Sequence, residues 1–365
     1  MRSRLTVVSA GVAAALMTVA ATRPGTPSSV RAGIGAKMQS ISALAVGPNG
    51  VLYAADPQAA TLYALDLSKL PAGTPGTKGI ANLDQQLASV LGTAASELTI
   101  SDLKVEPKSR NAFVSVTRGQ GADAQAVLVR IDGAAKIDVV PLETVSFTSL
   151  ALPNAPDLNP SRGRSNRSQS ITNLQYLNGR LYVAGLSNEE FASKLWAVGY
   201  PFKEADRGTS VEIFHGSHGQ LETRSPVYTF LPMTVNGEQD LIAAYLCTPL
   251  VRFPVASLAA GEKIRGTTIA ELGAGNRPID MVRYMKDGNE YLLMSNTSRG
   301  VMKIPTKDFG SAAGITTPIA GTAGIGYETV ASLTGVQQLD LLDATHAVVI
   351  ARTSSGLGLQ AVALP

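Results

Sequence analysis

The sequence predicts an all-β protein, a six-bladed β-propeller of four-stranded antiparallel blades, and three observations lead to that prediction. A unit of apolar strand, turn and second apolar strand occurs six times along the 365 residues. Several turns carry Asn-Gly or Asp-Gly, pairs that tolerate positive φ in tight hairpins. Each pair precedes a third strand, such as TLYALDL or AVLVRID, and often a weaker fourth one. Units of roughly 45 to 70 residues built in this way are typical of propeller blades.

The repeats account for most of the chain. Their paired strands are Ile41–Asp56, Ile100–Val116, Ile171–Gly185, Val227–Tyr245, Ile279–Asn296 and Val336–Arg352. One blade cannot bury both of its faces, whereas blades stacked around a ring bury them and leave only short edges. A β-sandwich or two smaller β domains would also use such strands, but the units are regular and no domain-like linker separates them. A seventh blade stays open, because Leu142–Ser170 could hold a degenerate one.

The N-terminus has the layout of a secretory signal peptide over residues 1–21. Arg2 and Arg4 precede an uncharged stretch that ends in the small residues Val19–Ala21. A short membrane anchor is the alternative, although the apolar run is shorter than the roughly 20 residues that a span needs. Residues 22–37 form an N-terminal segment that could add a fourth strand to the last blade, near Val30–Gly35. The propeller then occupies residues 38–365.

Charge and cysteine content limit the function. The formal net charge is +3, and without Arg2 and Arg4 it is +1 (3 − 2), so no basic excess is available to hold nucleic acid. Cys247 is the only cysteine, which excludes an intramolecular disulfide. We expect an exported protein of the bacterial periplasm or the medium, with no transmembrane segment after the signal peptide. Its partner is expected to be a small molecule or another protein.

One segment between the first two units departs from the strand pattern. Leu83–Leu91, LDQQLASVL, has apolar residues at helical spacing. The sequence therefore predicts a short helix at this position.

Two of the three histidines lie together in the loop FHGSHGQLE. His215 and His218 follow the fourth strand of the third unit and precede the first strand of the fourth. Neutral imidazoles suit Zn, Cu, Fe or Ni, and Glu222 could add oxygen, so a divalent transition metal is the candidate cofactor. Cys247 would add a soft ligand if it lies close, although its apolar neighbours favour a buried, inert thiol. Two alternatives stay open. The two histidines could simply hydrogen-bond the backbone of a structured loop, or they could take part directly in acid–base chemistry or substrate contact.

A second candidate set lies on the channel and its rim. By analogy with other propellers, the innermost strands line the channel, and ligands bind on the face whose loops lead into those strands. We call this face the upper face. Polar residues early in the inner strands could converge there, and arginines on the rim could clamp a carboxylate or phosphate. The candidate ligand-binding residues are Asp102, Asn173, Arg277, Asp280, Asn296, Arg299 and Arg352.

The blade rhythm, AVGPNGVLYAAD followed by TLYALDL, resembles that of six-bladed propellers of the NHL and SMP-30/gluconolactonase-like group. Gluconolactonase-like enzymes hold a divalent metal at the channel mouth through Glu, Asn and Asp. The resemblance implies that Asn173 and Asp280 match the last two in kind, whereas the first repeat carries Ala43 where a glutamate would help. Quinone-dependent propeller dehydrogenases have Trp-rich blades, and this chain has one tryptophan, Trp196.

These observations predict two classes of function. The first is an exported propeller that binds a small anionic ligand or a partner protein at its central channel face. The second is a metal-dependent hydrolase, lyase or oxidoreductase that uses the loop of His215 and His218. The sequence marks no nucleophilic serine and contains no phosphate-binding glycine loop, and no catalytic residue is assigned.

Overall fold

A computed structural model describes residues 30–161 and 163–365 of the chain. Within these residues the strands form six sheets, arranged as the six blades of a β-propeller, which confirms the predicted fold class. The innermost strands of the six sheets contact one another around a closed ring. The predicted signal peptide, residues 1–21, lies outside the described residues.

The first three blades consist of the following strands, in pairing order from the channel outward. The first blade has β2 (Leu44–Val46), β3 (Val51–Asp56), β4 (Thr61–Asp66), β9 (Ser146–Ala151) and β1 (Val30–Ile34). The second has β5 (Leu98–Val105), β6 (Ala112–Arg118), β7 (Gln125–Ile131) and β8 (Ile137–Val139). The third has β10 (Asn173–Leu177), β11 (Arg180–Leu186), β12 (Ser193–Gly199) and β13 (Thr209–His215), with β14 (Gln220–Glu222) and β18 (Lys263–Arg265) paired to β13.

The remaining blades follow the same antiparallel pattern. The fourth consists of β15 (Val227–Val235), β16 (Glu238–Tyr245), β17 (Pro249–Pro254), β19 (Thr267–Leu272) and β23 (Thr322–Gly324). The fifth consists of β20 (Pro278–Lys286), β21 (Asn289–Asn296), β22 (Val301–Pro305) and β24 (Glu328–Thr329). The sixth consists of β25 (Val336–Leu341), β26 (His346–Thr353) and β27 (Gly356–Ala363). The α-helix α1 covers Leu83–Leu91, as the helical spacing predicts.

The blades do not follow one another around the ring in sequence order. The chain leaves the first blade after β4, builds the second blade, and returns with β9 as the fourth strand of the first. The inner strand β5 lies between β2 and β25, so the second blade stands between the first and the sixth. Six apolar clusters, each shared by two neighbouring blades, form the core and follow this order. The segment Leu142–Ser170 thus supplies one strand and no seventh blade.

The expectation that the N-terminal segment completes the last blade is wrong. β1 pairs with β9 on the outer edge of the first blade, with Val30 opposite Leu150. The last blade is instead extended by Ile80, which forms an isolated bridge with Leu359. Helix α1 packs beside it with buried leucines on one face. Ile80 and α1 belong to the linker between the first and second blades. Because this linker packs against the sixth blade, it connects the last blade to the start of the propeller and helps to close the ring.

Hydrogen bonds from one inner strand to the next fix the blades around the channel. The Asp102 carboxylate accepts the Leu44 amide at 2.6 Å, which joins the second blade to the first. Equivalent contacts run from Leu339 N–H to Asp280 at 2.9 Å and from Val105 N–H to Asp340 at 2.7 Å. β-Bulges interrupt the register next to Asp102 and Asp280, and a bulge redirects the side chains beside it. Among the described residues, no helix has both the length and the apolarity to cross a membrane.

Candidate metal centre on the upper face

The histidine loop is a tight turn between two paired strands. β13 ends at His215, and β14 returns antiparallel to it, with His215 opposite Gln220. The turn is closed by main-chain hydrogen bonds from His218 and Gly219 to the His215 carbonyl, at 3.1 and 2.8 Å. It lies on the upper face, where the third blade leads into the fourth, as the repeat order predicts. The sequence did not reveal β14, because three residues carry no periodic signal.

The fold brings Cys247 to the two histidines. Cys247 lies in the turn between β16 and β17, on the same face. One ring nitrogen of each histidine and the Cys247 sulfur form a group in which all donor atoms lie within 4.8 Å of one another. The His215 ring is buried, the His218 side chain is 44% exposed, and Cys247 is half-buried. The expectation of a buried thiol is therefore wrong, and whether the thiol is inert is not tested by its position.

Glu222 contacts both imidazoles. Its Oε1 lies 2.5 Å from His218 Nδ1, and its Oε2 lies 3.1 Å from His215 Nδ1, out of line for a hydrogen bond. The Ser225 hydroxyl donates to Oε2 at 2.5 Å. Burial alone would raise the pKa of Glu222, but these contacts lower it to about 2. The sequence predicts Glu222 as a metal ligand. In the structure its carboxylate contacts both imidazoles, and the group of three close donor atoms contains Cys247 instead of Glu222.

A second carboxylate, which sequence reasoning missed, lies beneath the turn. Glu271, at the end of β19, is fully buried, and its Oε1 accepts the Gly216 amide at 2.6 Å. A Cβ at position 216 would lie 3.0 Å from that oxygen, which explains the glycine between the histidines. Burial raises the pKa of Glu271, and the Gly216 amide and both imidazoles act in the opposite direction. No sequence pattern distinguishes this glutamate from others on fourth strands.

Buried polar atoms without a partner are concentrated here. Four of the fourteen such side-chain atoms in the described part of the chain belong to the histidine turn and to Glu271 beneath it. They are both ring nitrogens of His215, Ser217 Oγ and Glu271 Oε2. An unpaired buried polar group costs about 1–3 kcal/mol, so a cluster of them points to a partner such as an ion or ordered water.

The turn that presents Cys247 is strained. Cys247 and Thr248 both have positive φ, 60° and 56°. This left-handed region is unfavourable for residues other than glycine, asparagine and aspartate, and most of all for a β-branched residue. Two contacts hold the turn: Cys247 N–H donates to the Asn276 carbonyl at 2.7 Å, and Thr248 Oγ1 donates to Gly273 O at 3.0 Å. Strain of this kind often marks a functional position.

The donor set fits a transition-metal ion. Imidazole and thiolate together suit zinc and its neighbours. A carboxylate that receives the second nitrogen of a metal-bound histidine fixes the tautomer and orients the ring, and Glu222 contacts His218 Nδ1 in this way and lies 3.1 Å from His215 Nδ1. The residues that would hold the ion are His215, His218 and Cys247. An ion with these three protein ligands would have room for a further ligand, such as water.

The predicted channel carboxylates are engaged with the protein itself. Asp102 and Asp280 are buried and lie 3.2 and 3.8 Å from Lys104 Nζ. Burial raises the pKa of Asp280 to about 7, against the opposing effect of Lys104. The sequence contains a signal for this lysine, since Lys104 lies two residues after Asp102 and so on the same side of β5. Their contacts give both carboxylates a structural role, and a ligand in the channel stays a prediction.

The other predicted ligand-binding residues divide between the core and the rim. Asn173 is buried at the start of β10, and its Oδ1 has no partner among the described residues. Asn296 is buried and accepts a hydrogen bond from Asn276 at 3.0 Å. Arg277 and Arg299 are exposed on upper-face loops, and Arg352 is exposed near the end of β26. Hydrogen bonds connect the loops of Arg277 and Arg299, whereas Arg352 belongs to the sixth blade.

Comparisons with known proteins assign the chain to no family. No protein-family profile and no curated protein matches the chain. Among solved structures, the PQQ-bound aldose sugar dehydrogenase of Streptomyces coelicolor is 12% identical, with a TM-score of 0.29 over 92% of this chain and all of that one. An engineered GH43 glycoside hydrolase with endo-xylanase and exo-arabinofuranosidase activity is 12% identical, with a TM-score of 0.36 over 74% of this chain and 51% of that one, about half its length. The resemblance to the NHL and SMP-30 group is not confirmed beyond the propeller fold.

Proposed function

We propose that the protein is an exported β-propeller that binds a divalent transition metal at His215, His218 and Cys247 and uses it for metal-assisted hydrolysis. The observation that carries this proposal is the group of three donor atoms within 4.8 Å of one another. Three residues separated by up to 32 positions meet there, from loops of two different blades. The four partnerless polar atoms of His215, Ser217 and Glu271 support an ion at this place.

The balance between burial and exposure favours catalysis over a purely structural ion. Structural zinc sites are closed by four protein ligands, whereas catalytic sites use three and leave one position for water or substrate. Here His215 is buried and His218 is 44% exposed, so solvent reaches one side of the centre. A zinc-bound water has its pKa lowered to about 7 and is a competent nucleophile at neutral pH. Glu271, a buried carboxylate that accepts the Gly216 amide of the turn, is a candidate proton acceptor.

The test is elemental analysis of the full chain, purified without a histidine tag, together with a His215→Ala/His218→Ala variant. The matched control is His346→Ala, which removes an exposed histidine at the start of β26, remote in sequence from the centre. We expect about one zinc-type ion per chain in the wild type and in the control, and none in the double variant. No metal in any of the three proteins after incubation with Zn, Cu, Fe or Mn would overturn the proposal.

The hydrolytic part has its own readout. Chromogenic phosphate, carboxylate and sulfate esters are offered to the zinc-loaded protein, to the chelated protein and to the double variant. The proposal expects cleavage of at least one ester class, lost on chelation and restored by zinc. A full metal content without cleavage of any ester would leave a metal-containing binding protein and refute the hydrolase.

A further inference from the structure

The two loops of the fifth blade that border the metal centre are fixed to each other. They are the loop before β20, residues 273–277, and the loop between β21 and β22, residues 297–300. Asn276 joins them: its Nδ2 donates to Asn296 Oδ1 at 3.0 Å, and its Oδ1 accepts the Ser298 amide at 3.1 Å. The main chain of Arg277 pairs with Thr297 in both directions, at 3.0 and 3.1 Å. Since Asn276 and Asn296 are both buried, the loops behave as one rigid unit.

The same unit is attached to the strained turn of the metal centre. The carbonyl of Asn276 accepts the Cys247 amide at 2.7 Å, and the carbonyl of Gly273 accepts the Thr248 hydroxyl at 3.0 Å. Any group carried by residues 273–277 is therefore placed at a fixed separation from the Cys247 sulfur. The arrangement is that of a functional site supported by a rigid second layer of residues.

Two arginines project from this unit. The guanidinium of Arg277 lies over the ring of Tyr228, 5.7 Å from its centroid. Arg299 donates to the Ala274 carbonyl at 3.0 Å. Its guanidinium carbon, Cζ, lies 2.6 Å from the position that a Cβ on residue 273 would have. Gly273 has φ of 108°, a conformation that residues with a side chain rarely adopt, and its missing Cβ leaves room for the Arg299 guanidinium. Both side chains are oriented by the protein through contacts that leave their charge uncompensated.

Neither arginine forms an ion pair with any carboxylate in the described part of the chain, and both are exposed. Arg130, Arg252 and Arg265, by contrast, are paired with acidic side chains within 3 Å and so stabilise the blades. Guanidinium groups without acidic partners are available to bind phosphate or carboxylate oxygens, often with two hydrogen bonds. Both arginines belong to loops that are hydrogen-bonded to the turn of Cys247.

We propose that Arg277 and Arg299 form an oxyanion-binding subsite next to the metal centre, so that the protein's ligand carries a phosphate or carboxylate group. This inference rests on the proposed function, because it places the anionic group of the ligand beside the metal. The Asn276–Asn296 pair is a positioning element of the subsite and does not touch the ligand. The predicted ligand-binding role of Asn296 is therefore indirect.

The experiment is calorimetric titration of inorganic phosphate, and separately of acetate, into the zinc-loaded full chain. The variant is Arg277→Gln/Arg299→Gln. The control is Arg180→Gln, which removes an exposed arginine that also donates to a main-chain carbonyl but belongs to the opposite end of the blades. We expect at least about a tenfold loss of affinity for one of the two anions in the double variant. The metal content should stay unchanged, and the control should bind like the wild type.

The outcomes separate the two proposals. Equal anion affinity in the wild type and in the double variant, with full metal content, would overturn the subsite and leave the metal centre intact. A chain that takes up no metal refutes the metal centre, and the same titration on the metal-free protein then decides whether the arginines bind an anion without it. Loss confined to phosphate indicates a phosphate ester as the ligand class, and loss confined to acetate indicates a carboxylate.

Discussion

The imidazole rings of His215 and His218 lie with their centroids 3.9 Å apart, although the first is buried and the second is 44% exposed. One carboxylate, Glu222, contacts both rings on their Nδ1 side. A single carboxylate thus contacts both members of the pair, and one nitrogen of each ring lies within 4.8 Å of the Cys247 sulfur.

Replacement of Glu222 by glutamine should weaken zinc binding about 10- to 100-fold, the usual cost of losing such a partner of metal-bound histidines. Glutamine has no negative charge and replaces one of the two carboxylate oxygens that face the rings with a donor. Competition with a chromogenic chelator measures the affinity. Glu212→Gln on the neighbouring strand, β13, is the control and should bind zinc normally; equal affinities in both variants would contradict the role of Glu222.

The Cys247→Asn variant should separate folding from metal binding. Asparagine adopts positive φ more readily than cysteine, so the turn loses strain and the free energy of unfolding should stay the same or rise by up to about 1 kcal/mol. The thiolate is lost, and zinc binding should fall with it. Thermal unfolding with and without zinc shows both effects. A destabilised variant that retains the zinc-induced rise in Tm would contradict this prediction.

The buried carboxylates of the channel should make stability depend on pH. Burial raises the pKa of Asp280 to about 7, opposed by Lys104 and assisted by Asp102 and Asp340. Because the folded pKa is above the unfolded value, the contribution of Asp280 is complete below about pH 4 and is lost as the pH rises through about 7. The Asp280→Asn variant should remove this decline while keeping an acceptor for the Leu339 amide.

Urea denaturation across that pH range measures the difference. The free energy of unfolding of the wild type should fall relative to the variant, by on the order of 1 kcal/mol or more at the alkaline end. Parallel pH profiles for the two proteins would show that Lys104 already holds Asp280 in its ionised form.

Helix α1 should contribute to ring closure. Leu87 is fully buried between the helix and the last blade, and its replacement by alanine should cost about 2–5 kcal/mol. Val90, on the same helix, is 46% exposed, and Val90→Ala should change the free energy of unfolding by less than about 0.5 kcal/mol. Similar losses for the two variants would mean that the helix is not part of the core.

The sequence predicts the blades well because strand periodicity and turn chemistry are local properties. Helix α1 is predicted for the same reason. The order of the blades around the ring cannot be predicted from local properties, since it depends on β9 pairing with β4 across some 80 residues of sequence, from Asp66 to Ser146. The bridge between Ile80 and Leu359 joins distant segments, and no local signal marks it.

The site is predicted in part. The repeat order predicts that the turn of His215 and His218 lies on the upper face, between the third and fourth blades, and the structure has it there. The approach of Cys247 needs the turn after β16, whose two left-handed residues are not the glycine or asparagine that such a turn normally uses. Bulges at Asp102 and Asp280 change which way their side chains point, so simple alternation misjudges the channel.

The most direct test of the metal centre is cobalt substitution of the full chain followed by absorption spectroscopy. A thiolate-to-cobalt charge-transfer band, together with intense visible bands of a tetrahedral ion, is the predicted result, and Cys247→Ser should abolish the charge-transfer band alone. A spectrum of hexaaqua cobalt, identical in the wild type and in the Cys247→Ser and His215→Ala/His218→Ala variants, would contradict the metal centre and remove the ion from this propeller.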